Sequence, residues 1–278
     1  MARAKDDAFR RLHVPGSPFV LANAWDVGSA RMLAARGAQA IGTTSAGHAF
    51  TLGRPDGRVN RDEALAHAET IVAATPLPVS ADLENGFGAA PETVAETVRL
   101  AAEVGLAGCS IEDTDLPGRG VYAREHAVER IRAAVAAARS RPVDFVLVAR
   151  ADGVMTGAYD LDEAIARIVA FADAGADCVY VPVPGDVAAL ARVVSAVRVP
   201  VNALAAGPLA KLRRHEFAAM GVARISLGSA LARMTHRVIA DAASAIVSEG
   251  VFDAFPVIPS VEVDALLAAG AAPPPVGP

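Results

Sequence analysis

Cysteine is scarce in this chain. Its 278 residues carry two, Cys109 and Cys178, with no CxxC spacing. That argues against a disulfide framework or a thiolate metal site and leaves two buried free thiols in apolar, strand-like runs. Positive charge is also in deficit. Lys and Arg number 26 against 31 Asp and Glu, a net charge of −5, and no basic run occurs. Nothing in that balance attracts a phosphate backbone, so nucleic acid is not an expected partner. No charge-free apolar stretch reaches the roughly 18 residues that argue for a bilayer-spanning helix. The opening MARAKDDAFRRLHVPGSPF has no apolar signal-peptide core. A cytoplasmic protein with no membrane partner is the expectation.

What the chain does have is aliphatic mass: 53% hydrophobic residues, dominated by alanine, valine and leucine. Alanine-rich helices on valine-rich strands suit an α/β fold. A pattern repeats along the sequence. An amphipathic helix ends in glycine, and a short apolar strand follows, at Gly37, Gly105, Gly175 and Gly221. Glycine supplies the left-handed backbone that ends a helix. With "PFVLAN", "LPVSAD", "DFVLVAR" and "VPVNAL" the count reaches eight strands, near Phe19, Ala40, Val79, Gly108, Phe145, Cys178, Val201 and Ile225. Asn60 with Glu63 and Asp160 with Glu163 read as capped helix starts. Eight strands alternating with helices predict one (β/α)8 TIM-type barrel over 1–270. No Gly-x-Gly-x-x-Gly follows the first strand, which weakens the dinucleotide-binding open sheet as a competitor. The segment after Ser229 is read as the last barrel helix, followed by an extra C-terminal helix near 261–268 suited to packing on, or swapping with, another subunit. Residues 271–278 read as a flexible tail.

In such a barrel the chemistry sits where the strands end. Strand one ends in Asn23-Ala24-Trp25-Asp26 and strand two in Thr43-Thr44-Ser45-Ala46-Gly47-His48. Strand three ends in Asp82 and Glu84, strand four in Glu112-Asp113, strand five in Arg150 with Asp152 beyond, and strand seven carries Asn202. Alternation puts Asp82 and Glu84 on one face, Ser110 with Glu112, and Val148 with Arg150. Several carboxylates sharing a pocket repel unless a cation sits among them. An all-oxygen set suits Mg²⁺ or Mn²⁺, with one carboxylate binding directly and the rest through water. Arg150 offers a bidentate grip on a carboxylate or phosphonate, and the Ser45-Ala46-Gly47 turn offers N–H groups and a hydroxyl to a second anionic group. His48 is a candidate acid or base, alongside Tyr122 and a metal-bound water. Trp25 and Asn202 are candidate substrate contacts. Asp113 and Asp152 also admit a plain helix N-cap reading.

Four segments in order, "LGRPDG", "SADLENGFG", "GCSIEDT" and "VARADG", resemble the isocitrate lyase/phosphoenolpyruvate mutase superfamily, and the resemblance runs from Pro18 to about Arg233. It implies a (β/α)8 barrel in a dimer or tetramer with a swapped C-terminal helix, and a Mg²⁺ or Mn²⁺ cofactor. On its motifs Asp82 matches the coordinating aspartate. Asp56, Glu84 and Glu112 match the acids that hold the metal's waters, Arg150 the substrate-gripping arginine, and Ser45 and Ala46 the cradle of the 2-oxo acid. The chain departs from the lyase branch in lacking its loop cysteine across 114–124. It departs from the mutase in having Pro182 for a histidine and no clear counterpart to the gating-loop asparagine. The expectation is a Mg²⁺-dependent lyase that cleaves a C–C bond of, or decarboxylates, a small 2-oxo or 2-hydroxy di- or tricarboxylate such as oxaloacetate, through a metal-stabilised enolate. The alternatives are P–C bond chemistry of the phosphoenolpyruvate mutase/phosphonopyruvate hydrolase type and a non-catalytic 2-oxo acid binding protein.

Overall fold

A computed structural model describes residues 8–118, 120–140, 142–252 and 257–273. Eight parallel strands close into a barrel: β1 (Phe19–Ala24), β2 (Ala40–Thr43), β3 (Val79–Asp82), β4 (Gly108–Glu112), β5 (Val146–Arg150), β6 (Cys178–Tyr180), β7 (Val201–Leu204) and β8 (Arg224–Ser226). Each pairs with its sequence neighbours, and β1 pairs with β8 to close the ring. All eight strands stand where the sequence puts them. The four helix-ending glycines, Gly37, Gly105, Gly175 and Gly221, have φ between +86° and +99°. Asn60 and Glu63 form the expected reciprocal cap. Asp160 caps Glu163 N–H as expected, but the Glu163 carboxylate turns to Arg124 and Arg167 instead of returning to its cap.

Alternation sorts the strand side chains. Ile41, Ala81, Ile111, Leu147 and Val179 point outward into the helix layer. Leu21, Ala40, Val146, Val148 and Cys178 fill the barrel interior above a floor of Phe9 and Phe19. Both cysteines are buried and free. Above that apolar plug the interior turns polar, with Ser80, Ser110, Asn202, Arg224 and Ser226 all buried. Barrel interiors are usually packed with branched apolar residues, so this polar layer marks where the plug ends and the site begins.

The floor carries a titratable group. His13 stacks edge-on against Phe9 and Phe19. Its Nδ1 lies 3.0 Å from the Phe9 carbonyl, and its buried Nε2 has no partner among the described residues. Burial, then the positive charge of Arg224, holds its imidazole down at about 3 against an ordinary 6.5. Above pH 6.5 neither folded nor unfolded chain binds that proton. Below it the unfolded chain does and the folded one does not. His13 is therefore expected to withdraw about 4 kcal/mol of stability as pH falls from 6.5 towards 3. Urea unfolding across that range checks this: the His13→Phe variant should lose less stability than the parent, and parallel curves would refute it.

The C-terminal region departs from expectation. The helix Ala230–Ser244 has only Ala232 buried, so it stands off the barrel instead of closing it. Met234, Val238 and Ile239 lie exposed along it. The extra helix exists as Ser260–Ala269 and packs on Val27–Ala35, with Arg36 paired to Glu262 at 3.2 Å. Most of the expected tail lies outside the described residues. At its start the Ala272 N–H donates to the Ala74 carbonyl, 3.0 Å. Among the described residues no helix is long and apolar enough to cross a membrane.

Candidate active site

The carboxyl ends of the strands surround a cavity of about 180 Å³. Asp82, the last residue of β3, is its hub. One carboxylate oxygen accepts the Ser45 N–H (3.3 Å) and hydroxyl (3.0 Å); the other accepts Arg150 Nη1 at 2.9 Å. The Asp82 N–H donates to the Thr43 hydroxyl, 2.9 Å, which ties the end of β3 to β2. Arg150 ends β5 with its side chain only 12% exposed, and it meets three carboxylates. Asp152 takes Nε and Nη2 as a fork at 3.2 and 2.6 Å, Asp82 takes Nη1, and Glu112 lies 3.1 Å from Nη2. Asp152 is thus no helix cap: it makes no capping bond and fixes the plane of the guanidinium.

Negative charge is in excess here. Burial, then the charges of Asp82 and Asp56, pushes the Glu84 carboxyl up to about 8. Burial and Asp82 push Asp56 up as well. Glu112 is raised chiefly by burial, with Arg150 opposing. Glu84 follows Asp82 closely, its N–H 3.4 Å from an Asp82 carboxylate oxygen, but strand alternation does not set its direction. β3 stops at Asp82, and Glu84 has φ +48°, so a left-handed turn directs its side chain, not strand alternation. A non-glycine residue there carries strain of roughly 1 kcal/mol or more.

A buried network stands behind Arg150. Asp113 accepts the Asp152 N–H (2.8 Å), the Tyr159 hydroxyl (2.6 Å) and Arg167 Nη1 (2.9 Å). The Tyr159 ring lies so close to Gly153 that a methyl there would sit 2.1 Å from it, so glycine is required for the ring to reach Asp113. Arg130 donates to the Glu112, Asn85 and Gly88 carbonyls, pinning the loop after β3 to the end of β4.

Ser45, Ala46, Asp56, Asp82 and Arg150 line one cavity. Six other expected residues do not. Glu84 lines the neighbouring spaces beside Phe87, and Glu112 reaches the site only through Arg150. Gly47 is buried behind the rim, where a Cβ would meet Thr44 at 2.6 Å and Trp25 at 2.9 Å, so its part is packing. Trp25 lines a separate apolar groove with Met32, Leu231 and Met234. Asn202 sits a layer below the cavity, joining Ser226 to Arg224. His48 lies behind Asp82, stacked on His67 at 3.8 Å. Burial, then the charge of His67, holds it down at about 4, and neither ring nitrogen has a partner among the described residues. Tyr122 also lies off the cavity, its hydroxyl accepting from Asn85 at 3.2 Å. Sequence reasoning missed Tyr180, Arg224 and Ser226, which form the inner wall. The alternation that placed Arg150 would have placed Arg224 and Ser226 too, had β8 been followed inward from its end.

The sequence profile of the family described as phosphoenolpyruvate phosphomutase matches residues 9–247. The 2-methylisocitrate lyase of Salmonella typhimurium is 33% identical over 205 residues, covering 70% of this chain and 68% of the enzyme. Among solved structures, a lyase/mutase-like protein of Burkholderia cenocepacia superposes with a TM-score of 0.90 at 46% identity, covering 96% of each chain. Oxaloacetate acetylhydrolase with its product oxalate superposes at 0.83 and 28% identity, covering 95% of this chain and 94% of that one.

Proposed function

The chain belongs to the phosphoenolpyruvate mutase/isocitrate lyase superfamily, and from that premise we propose that it is a Mg²⁺- or Mn²⁺-dependent lyase acting on a small 2-oxo or 2-hydroxy di- or tricarboxylic acid. The observation that carries the reading is that Asp56, Asp82, Glu84 and Glu112 neighbour one another at the strand ends, with Asp82 and Glu112 sharing contact with Arg150. Burial, then the neighbouring carboxylates, raises the Asp56 and Glu84 carboxyls, as happens where a cation belongs. Among the described residues no three acidic, histidine or cysteine side chains converge closely enough to hold a metal directly. Mg²⁺ keeps several waters and takes one or two carboxylates, so it does not require such a cluster. Asp82 would hold it, with Asp56, Glu84 and Glu112 reaching its waters. A divalent ion there would neutralise the charge that gathers on the 2-oxo oxygen as the adjacent bond breaks.

The chain's own residues do the rest. Arg150 receives the substrate carboxylate. Asp152 keeps the guanidinium plane fixed, and Nη1 changes partner from Asp82 to the ligand. The Ser45 hydroxyl stands at the same rim. The bond broken is the C–C bond whose electron pair can delocalise into the acid's carbonyl. Relatives with lyase names and a structural neighbour that acts on oxaloacetate support this class over P–C chemistry, as does Pro182 in the cavity wall. A thermal-shift screen of 2-oxo acids tests the reading: acid should raise the midpoint beyond the Mg²⁺-loaded value, and should raise it only when Mg²⁺ is present. Equal shifts in EDTA would sink it, and phosphoryl loss from phosphonopyruvate in ³¹P NMR would move it to the mutase side.

The exposed apolar side of Ala230–Ser244 supports assembly of identical copies, since monomers rarely leave Met, Val and Ile side by side in water. A homodimer or homotetramer is expected by sedimentation, and Ile239→Asp with Met234→Asp should shift it toward monomer. An unchanged mass would count against this helix as the interface.

A further inference from the structure

The inner wall of the cavity holds a second arginine. Arg224 is 3% exposed. Among the described residues it forms no ion pair and its buried Nη1 has no hydrogen-bond partner. Among the described residues its side chain makes one hydrogen bond, from Nε to Asn202 Oδ1, 2.9 Å. A buried guanidinium without a carboxylate is costly, and Arg150, with three, shows how the same barrel treats a cation it means to neutralise internally. The residues around Arg224 hold it without discharging it. Asn202 uses its carbonyl oxygen on Arg224 and its amide nitrogen on the Ser226 hydroxyl, 2.9 Å. Tyr180 adjoins Ser226 and carries Arg150 over its ring face at 5.3 Å. Arg150 and Arg224 therefore line the same cavity, one at the rim among acids and one deeper with no counter-charge.

We propose that Arg224 receives a second anionic group of the substrate, so that the cavity is built for a dicarboxylate held between Arg150 at the rim and Arg224 on the inner wall. This rests on the reading of the site given above and deepens it. A 2-oxo or 2-hydroxy acid with one carboxylate engages only the rim. A second carboxylate supplies the charge that Arg224 lacks, and the cavity volume accommodates a four-carbon diacid with a few waters. Selectivity then follows from an unmet charge: a monoacid leaves Arg224 buried and unpaired, and the diacid does not.

Calorimetric titration of the Mg²⁺-loaded protein with (S)-malate and (S)-lactate tests this, because the two share the 2-hydroxy acid end and differ in the distal carboxylate. Malate should bind at least about tenfold tighter. Arg224→Gln should erase that ratio while leaving lactate affinity within about twofold, and Arg224→Lys should retain part of it. The ratio is internal to each protein, so a general loss of stability does not imitate the result, and the wild-type comparison needs no variant. If lactate binds and malate gains nothing, the subsite is wrong while the reading of the rim stands. If malate keeps its advantage in Arg224→Gln, the distal carboxylate goes elsewhere, which also overturns the proposal. If neither acid binds, both readings fall.

Discussion

Asp82→Asn is expected to lower kcat/KM by about 10³-fold or more and to weaken Mg²⁺ binding by about 100-fold, with no loss of fold stability. The asymmetry is the point. Asn keeps the shape and can still accept the Ser45 hydroxyl and N–H. It removes a negative charge from a site that has too many. The Glu84 carboxyl, raised by burial and by Asp82, should then titrate lower. Arg150 retains its fork on Asp152 and its contact with Glu112, so no buried cation is stranded. Sites that hold like charges together for function gain stability when one is removed. A merely structural Asp82 makes the opposite prediction: a lower melting point with Mg²⁺ affinity unchanged. Thermal melts with and without Mg²⁺, together with steady-state kinetics, separate the two. Retained metal affinity in a folded Asp82→Asn would remove Asp82 from the metal site.

The barrel was legible because its grammar is local. Helix, left-handed glycine and apolar strand recur within a few residues, and each glycine supplies a backbone conformation that other residues adopt with strain. The rim was legible for a related reason: a polar residue at the end of a buried strand has one place to go, and Asp82 and Arg150 went there. What failed was inference past the strand ends. Gly47 and His48 follow β2 in sequence, but the chain turns at once into the helix Ser45–Thr51, which carries them behind the rim. Asp152 admitted a cap reading as readily as a site reading because it precedes a helix; only the fold shows that its carboxylate reaches back two residues to Arg150. Asp113 needed Tyr159 and Arg167, 46 and 54 positions away, and no local pattern encodes that. The exposed helix Ala230–Ser244 looked like any amphipathic barrel helix, because an apolar side does not say which chain it faces.

Arg150→Lys is the second large effect, and it distinguishes charge from geometry. Lysine keeps the positive charge, so Asp82, Glu112 and Asp152 are not left uncompensated, and the fold should survive. Arg150→Ala should instead cost about 3–5 kcal/mol, the penalty for stranding buried carboxylates. What lysine cannot do is hold the Asp152 fork with two nitrogens and present a third outward. In the structure those tasks are divided: Nε and Nη2 face Asp152 and Nη1 points to Asp82, the position from which it meets a ligand carboxylate. An ammonium has a single nitrogen and no fixed plane. The affinity for 2-oxo and 2-hydroxy acids should therefore fall by about 100-fold in Arg150→Lys, while Mg²⁺ binding to the free protein changes little. Asp152→Asn should move in the same direction by less, since the guanidinium stays but loses the partner that fixes its orientation. Titrations with acid and with Mg²⁺ read the two effects separately. If Arg150→Lys bound the acids as tightly as the parent, the substrate carboxylate would be held by another group, and the fork on Asp152 would be a device for stability alone.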